Sequence, residues 1–115
     1  MNAVPSGRFA DTVSIDPVSG ECKLVMFEYL PWNRALLSTL QSRINECLQF
    51  IESGEIHVSY PQAQNHDFVI DIRCIYIPDQ EALDFLGAAQ QVLNEAGYAL
   101  RYGPLGSAYA DDNSP

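Results

Sequence analysis

Two segments of this chain place apolar residues at the three- and four-residue spacing of one helix face, and capping residues bound each segment. In the first, residues 34–53, Asn33 supplies an N-cap and Gly54 the left-handed residue that ends a helix. In the second, Asp79 precedes the apolar stripe and Gly97 closes it. Because a one-sided helix must bury its stripe against another layer, this feature predicts two helices packed on a sheet.

The remaining segments show the alternation of strands. TVSID (12–16) and CKLVMFEY (22–29) flank turn residues and predict a β-hairpin, FVIDIRCIYI (68–77) predicts the strongest strand, and YALRY (98–102) a last short one. EIHVSYP (55–61) fits either a brief strand or an extended connector. The predicted fold is α/β (α+β): a two-layer sandwich in the order ββ-α-(β)-β-α-β, with a small mixed, mostly antiparallel sheet and both helices on one face.

The chain of 115 residues suits one domain. Residues 1–9 and 103–115 are rich in small, polar and turn-forming residues and are predicted to be flexible tails around a single domain at residues 10–102. No apolar run approaches the ~18 residues of a membrane span, and the first residues lack the apolar core of a secretory signal. Three cysteines without CxxC spacing argue against a disulfide framework or a zinc site, so we expect a reducing, cytoplasmic location.

The charge balance restricts the class of partner. The sequence has fifteen acidic and six basic side chains, which gives a net charge of −9. This charge repels phosphate backbones and anionic lipid surfaces, which disfavours nucleic acid and membranes as partners. It favours a basic protein partner, because opposite fields speed encounter. The alternative is that the acidity only keeps the protein soluble.

The segment CLQFIESGEIHVSY (47–60) gathers residue types that can perform chemistry. Cys47 falls on the apolar stripe and is expected to be a small buried hydrophobe. Gly54 ends the helix, so Glu55 and His57 belong to another element, and the sequence contains no GxGxxG, P-loop, HExxH or GxSxG motif. We therefore expect no catalytic residue, no metal and no cofactor. A small enzyme that uses Cys47 or the Glu/His cluster is the remaining alternative.

The sheet face away from the helices is the predicted interaction surface, because strand alternation turns several large apolar side chains toward it. The alternative is that the tails or a second copy of the chain cover this face. The residues expected on this face are Val25, Phe27, Tyr29, Val69, Asp71, Arg73 and Ile75. Aromatic residues are enriched at binding hot spots, which adds Trp32 to the surface. The expected partner contacts are Glu28, Tyr29, Trp32, Asp71 and Arg73, with Glu52, Glu55 and His57 as a second contact edge.

Several motifs together support a resemblance: a strand followed by Trp32, a helix ending in FIESG (50–54), the pair Tyr60-Pro61, and a second helix closing at Gly97. In these the chain resembles a small bacterial family of uncharacterised one-domain proteins, over roughly residues 11–102. The resemblance implies the fold and transfers no catalytic residue.

In size and lack of motifs, the chain is also similar to immunity proteins encoded beside bacterial toxins. That similarity implies a protein partner, a basic toxin domain whose active site the acidic surface would cover. The alternative function is a homo-oligomeric structural or adaptor domain, such as a homodimer formed through the open sheet face.

Overall fold

The structure, a computed structural model, describes residues 10–61, 67–106 and 108–110. In chain order the elements are β1 (Thr12–Ile15), β2 (Cys22–Glu28), α1 (Arg34–Glu52), α2 (Glu55–Ser59), β3 (Phe68–Cys74), α3 (Gln80–Glu95) and β4 (Ala99–Pro104).

Both long helices begin and end where the capping residues predict. The side chain of Asn33 accepts a hydrogen bond of 2.8 Å from a backbone N–H in the first turn of α1, and Asp79 accepts one of 2.9 Å in α3. Gly54 and Gly97 follow the two helices with φ of 85° and 93°, a backbone region that other residues enter only with strain. The helix boundaries are therefore confirmed and have a local cause.

The sheet has the strand order β1-β2-β3-β4. β1 and β2 pair antiparallel, whereas β2–β3 and β3–β4 pair parallel. The mixed sheet with both helices on one face is confirmed, but the expectation of mostly antiparallel pairing is wrong. Its physical reason is the length of the connections: α1 and α3 each carry the chain back to the amino end of the next strand, which is the crossover that parallel neighbours require.

Residues 55–61, left open as a strand or a connector, begin with the short helix α2. The left-handed Gly54 turns the chain, and Ile56 on α2 is completely buried. The alternation that suggested a strand has no buried face, since Val58 is 80% exposed. Ile56 thus anchors this turn of helix in the core, and the following Tyr60 also packs against it.

The third strand is shorter than predicted and the last strand is longer. β3 stops at Cys74, beyond which Tyr76 makes one isolated bridge to Ala110. β4 continues to Pro104, two residues past the domain boundary expected at residue 102. The chain therefore stays paired with the sheet into the segment predicted as a tail. Residues 1–9, 107 and 111–115 of the two predicted tails lie outside the described residues.

The core lies between the sheet and the helices. Alternate residues of β2 and β3 form one cluster with the inward stripes of α1, α2 and α3. Full burial of each large aliphatic side chain stabilises the fold by roughly 1.5–3 kcal/mol, so this cluster is the main support for both layers. The largest fully buried members are Leu24, Met26, Leu40, Ile56, Ile70, Ile72, Leu86 and Leu93. Within the described ranges, no helix is long and apolar enough to cross a bilayer.

Candidate functional site

The sheet face away from the helices is not the exposed apolar patch that the sequence predicts. Val69, at its centre, is only 1% exposed, and Val25, Phe27 and Ile75 are half-buried. The face thus offers a partner little apolar surface, and the expected patch is corrected.

Charged side chains lie across this face. Arg101 on β4 binds Glu21, which precedes β2, through two hydrogen bonds of 2.9 Å, so the pair spans β3 at the level of Val69. Arg73 donates to Asp71 at 2.9 and 2.6 Å. Two of the predicted contact residues, Asp71 and Arg73, are therefore half-buried and paired with each other.

Exposed apolar surface appears instead at the carboxyl ends of β2 and β3. Tyr29 and Leu30 follow β2 and are 59% and 62% exposed; Ile77 follows β3 and is 60% exposed. We call Tyr29, Leu30 and Ile77, together with the half-buried Trp32, the carboxyl-end patch. Large apolar side chains exposed side by side commonly mark a protein interface.

Two hydrogen bonds hold the segments of this patch together. The backbone N–H of Ile75 donates to the carbonyl of Glu28 at 3.0 Å, and the indole Nε1–H of Trp32 donates to the carbonyl of Tyr76 at 2.9 Å. The Trp32 ring also packs against the core. The patch is thus presented on a fixed backbone, which lowers the entropy cost of binding a partner.

Glu28, another predicted contact, points to the helix side of the sheet and is 7% exposed. Its carboxylate lies 3.1 Å from the Arg43 guanidinium, which also contacts Asp11 at 3.1 Å. Burial raises the pKa of Glu28, while Arg43 partly opposes that rise. This arrangement joins α1 to β2 and to the residue before β1, so it supports the patch from below; direct contact of Glu28 with a partner stays a prediction.

The second predicted edge forms at the opposite end of the sheet. Glu52 ends α1, Glu55 begins α2, and both are exposed. The half-buried His57 ring lies 6.1 Å from Phe68 at the start of β3, and its buried Nδ1 has no hydrogen-bond partner among the described residues. Seven residues of β3, about 20 Å, separate this second edge from the carboxyl-end patch.

The surplus charge is negative throughout the part of the chain that the structure describes. Each lysine and arginine there forms an ion pair: Lys23 with Asp16, Arg34 with Glu81, Arg43 with Asp11 and Glu28, Arg73 with Asp71, and Arg101 with Glu21. The acidic residues left without an ion pair in these ranges are Glu46, Glu52, Glu55, Asp67, Asp79, Asp84 and Glu95. A partner whose charge is complementary to this surface is basic.

The cysteines are poorly suited to nucleophilic chemistry. All three are buried thiols, and burial raises the pKa of Cys47 to about 12 and that of Cys74 to about 11. The thiolate is the reactive form, so these groups stay protonated and inert near neutral pH. Within the described ranges, no group of three or more His, Cys, Asp or Glu side chains could hold a metal ion.

Sequence reasoning missed Leu30 and Ile77. Each directly precedes a proline, Pro31 and Pro78, in the short connection from a strand to a helix cap. A residue before proline is biased to extended backbone, so it joins neither the helix nor the core. The signal in the sequence was an apolar residue directly before a proline at the end of each predicted strand.

A family model described as "Family of unknown function (DUF6572)" matches residues 4–106, so the chain belongs to that family. No curated protein and no solved structure matches the chain. Membership agrees with the expected small one-domain family, whereas the likeness to immunity proteins stays a prediction.

Proposed function

We propose that this DUF6572 member is a non-enzymatic domain that binds a basic protein through the carboxyl-end patch. The observation that supports this most directly is the exposure of Tyr29, Leu30 and Ile77, each about 60%, on hydrogen-bonded backbone segments. Covering each of these side chains contributes roughly 1–2 kcal/mol of apolar transfer free energy. Tyr29 and Trp32 are also of the aromatic type that is enriched at binding hot spots.

The unpaired acidic side chains supply the second part of recognition. Since every described lysine and arginine is already in an ion pair, the remaining field attracts cations. Such a field raises the association rate more than it strengthens the final complex. We therefore expect association to slow as salt is added, with a smaller change in the dissociation rate.

The finer proposal is that the partner is a bacterial toxin and that this chain is its immunity protein. Toxins that act on nucleic acids or nucleotides need cationic clefts for phosphate groups. A chain of net charge −9 with an apolar anchor is suited to cover such a cleft and exclude its substrate. Inhibition would then follow from occlusion, without chemistry on either protein.

The test starts from a tagged pull-down in the source cell, followed by binding measurements with the purified partner. Ile77→Ser should weaken binding about tenfold, because it removes an exposed anchor of the patch. Val18→Ser is the matched control: Val18 is 94% exposed in the β1–β2 turn, at the opposite end of the sheet, and should change affinity by less than about twofold.

Two results would overturn the proposal. Equal effects of Ile77→Ser and Val18→Ser would show that the patch is not the anchor. A stable dimer of the chain alone at micromolar concentration, dissociated by Ile77→Ser, would favour the homo-oligomeric alternative. The immunity proposal fails separately if the partner has no toxic activity, or if the chain does not suppress it.

A further inference from the structure

A second apolar surface lies on the helix layer, in the cleft between α1 and α3. The cleft has a volume of about 250 Å³. Ile44 and Leu48 line it on α1, and Phe85, Ala89 and Val92 line it on α3. The carboxyl-end patch contributes no residue to this lining.

The cleft exists because the apolar stripes of the two helices are wider than the surface that the sheet covers. Leu93 and Ile44 reach the core, but Leu48 and Phe85 remain half-buried and Val92 is 58% exposed. A helix residue with this exposure gains little from folding alone. Burying it requires a further layer above α1 and α3.

The size and shape of the cleft favour side chains of a helix over a small molecule. Small-molecule sites usually enclose roughly 300–1,000 Å³, which is more than this cleft offers. An amphipathic helix laid in a groove inserts apolar side chains at positions i, i+3 or i+4, and i+7. Ala88 and Ala89 on α3 are small enough for the backbone of such a helix to approach closely.

The charges around the cleft specify the flanks of that helix. Among the described residues, no lysine or arginine lines the cleft. Asp84 and Glu95 lie four residues before Ala88 and three after Val92 on α3, and Glu52 lies four after Leu48 on α1. From these helical spacings we expect the three carboxylates to lie toward the ends of the cleft. Asp84 also accepts a hydrogen bond from Gln80, and Glu52 interacts with Tyr98.

None of these three carboxylates has an ion pair within the described part of the chain. A second copy of this chain would bring the same surplus of acid. Electrostatic repulsion therefore opposes a copy as the occupant.

We propose that the cleft between α1 and α3 binds a basic amphipathic helix of the protein partner. This inference rests on the proposed function, since it names the secondary structure and charge of part of the same partner. The carboxyl-end patch and the cleft then act as two separate contact surfaces for one protein.

The test uses the full chain and a designed, fluorescently labelled peptide of about 18 residues, long enough to form a helix. The peptide carries leucines at helical spacing and lysines elsewhere, and its controls are a scrambled version and a version with glutamate for lysine. We expect the two control peptides to bind at least about tenfold more weakly than the basic amphipathic one.

Matched variants locate the site. Val92→Lys places a charge in the cleft, whereas Gln91→Lys adds the same charge to an exposed neighbour outside it. Val92→Lys should weaken peptide binding by at least about tenfold and Gln91→Lys by less than about threefold. Equal effects of the two variants, or equal binding of the scrambled peptide, would overturn the inference.

The peptide result is separable from the proposed function. Ile77→Ser alters the carboxyl-end patch and should leave peptide affinity unchanged, so a loss there would contradict two separate surfaces. If the partner binds Val92→Lys as tightly as it binds the unaltered chain, the cleft inference fails while the proposed function stands. If neither Val92→Lys nor Ile77→Ser weakens binding of the partner, the cleft inference and the proposed function both fail.

Discussion

Replacing Arg43 by methionine tests how the buried carboxylate beneath the carboxyl-end patch is stabilised. The side chain of Arg43 is 17% exposed and bridges Glu28, whose side chain is 9% exposed, and Asp11, at 35%. Methionine keeps much of the aliphatic volume but removes the charge and both ion pairs. The variant therefore isolates the cost of leaving Glu28 buried without its cation.

The protonation equilibrium of Glu28 limits that cost. Breaking a buried ion pair costs about 3–5 kcal/mol if the remaining charge persists. Glu28 can instead bind a proton. At pH 7, roughly 2.5 pH units above the ordinary pKa of 4.5, protonation costs about 1.4 kcal/mol for each of those units. The destabilisation from Glu28 is therefore limited to about 3.5 kcal/mol at pH 7, less the part that its raised pKa already costs in the unaltered protein. Loss of the more exposed Asp11 pair adds less than about 1 kcal/mol.

The sign of the pH dependence follows from the raised pKa of Glu28. Because the folded protein holds this proton more tightly than the unfolded chain, the stability due to Glu28 is full below pH 4.5 and is lost as pH rises through the folded-state pKa. Removing Arg43 raises that pKa further. Arg43→Met should thus cost up to about 3 kcal/mol at pH 7 and only about 1 kcal/mol at pH 5.

Urea unfolding at the two pH values measures these free energies. Arg34→Met is the matched control, since Arg34 is 88% exposed in its pair with Glu81 and should cost less than about 1 kcal/mol at either pH. Adding Glu28→Gln to Arg43→Met should recover most of the loss at pH 7. A cost for Arg43→Met that equals the control, or that does not fall toward pH 5, would refute the reasoning.

Three further predictions concern other parts of the fold. Burial raises the pKa of Cys47 to about 12, so mass-mapped iodoacetamide should label it at pH 8 only after unfolding; rapid labelling of the folded chain would contradict this. Gly97→Ala should lower the free energy of unfolding in urea by about 1–2 kcal/mol, because Gly97 has a φ of 93°. Gly87→Ala, in the unobstructed interior of α3, should raise it by about 0.5–1 kcal/mol. Changes of the same sign would show the backbone argument to be mistaken. The Arg101 guanidinium holds the pKa of Glu21 below its ordinary value, so the Arg101–Glu21 pair stabilises the fold at neutral pH and loses this effect as pH falls through the lowered pKa. Arg101→Gln should therefore lower Tm more at pH 7 than at pH 3. Equal losses of Tm at the two pH values would contradict this prediction.

The elements that the sequence predicts correctly are those set by local chemistry. Asn33 and Asp79 start helices because a short polar side chain accepts a nearby backbone N–H, and that interaction needs no distant partner. Gly54 and Gly97 end helices for an equally local reason. The stripes between them predict which face is buried, as the complete burial of Cys47 illustrates.

The features that sequence reasoning did not predict depend on residues far apart in the chain. Alternation correctly assigned Val69 to the face away from the helices, but not its burial there, and the Arg101–Glu21 pair on the same face joins residues 80 positions apart. Glu28 could be assigned to the helix side, yet its partner Arg43 depends on the placement of α1 over β2. Side-chain pairing across a sheet follows from register, which alternation alone does not set.

The parallel pairing of β2 and β3 is what creates the candidate site. Parallel neighbours place their carboxyl ends at the same edge, so the segment after Glu28 and the segment after Cys74 leave the sheet side by side, joined by the Ile75–Glu28 hydrogen bond. In a mostly antiparallel sheet the same two segments would lie at opposite ends, about 20 Å apart, and neither would form a patch alone. Open sheets with parallel strands commonly bind their ligands at the carboxyl ends of the strands. The topology of this sheet therefore also favours testing the carboxyl-end patch first.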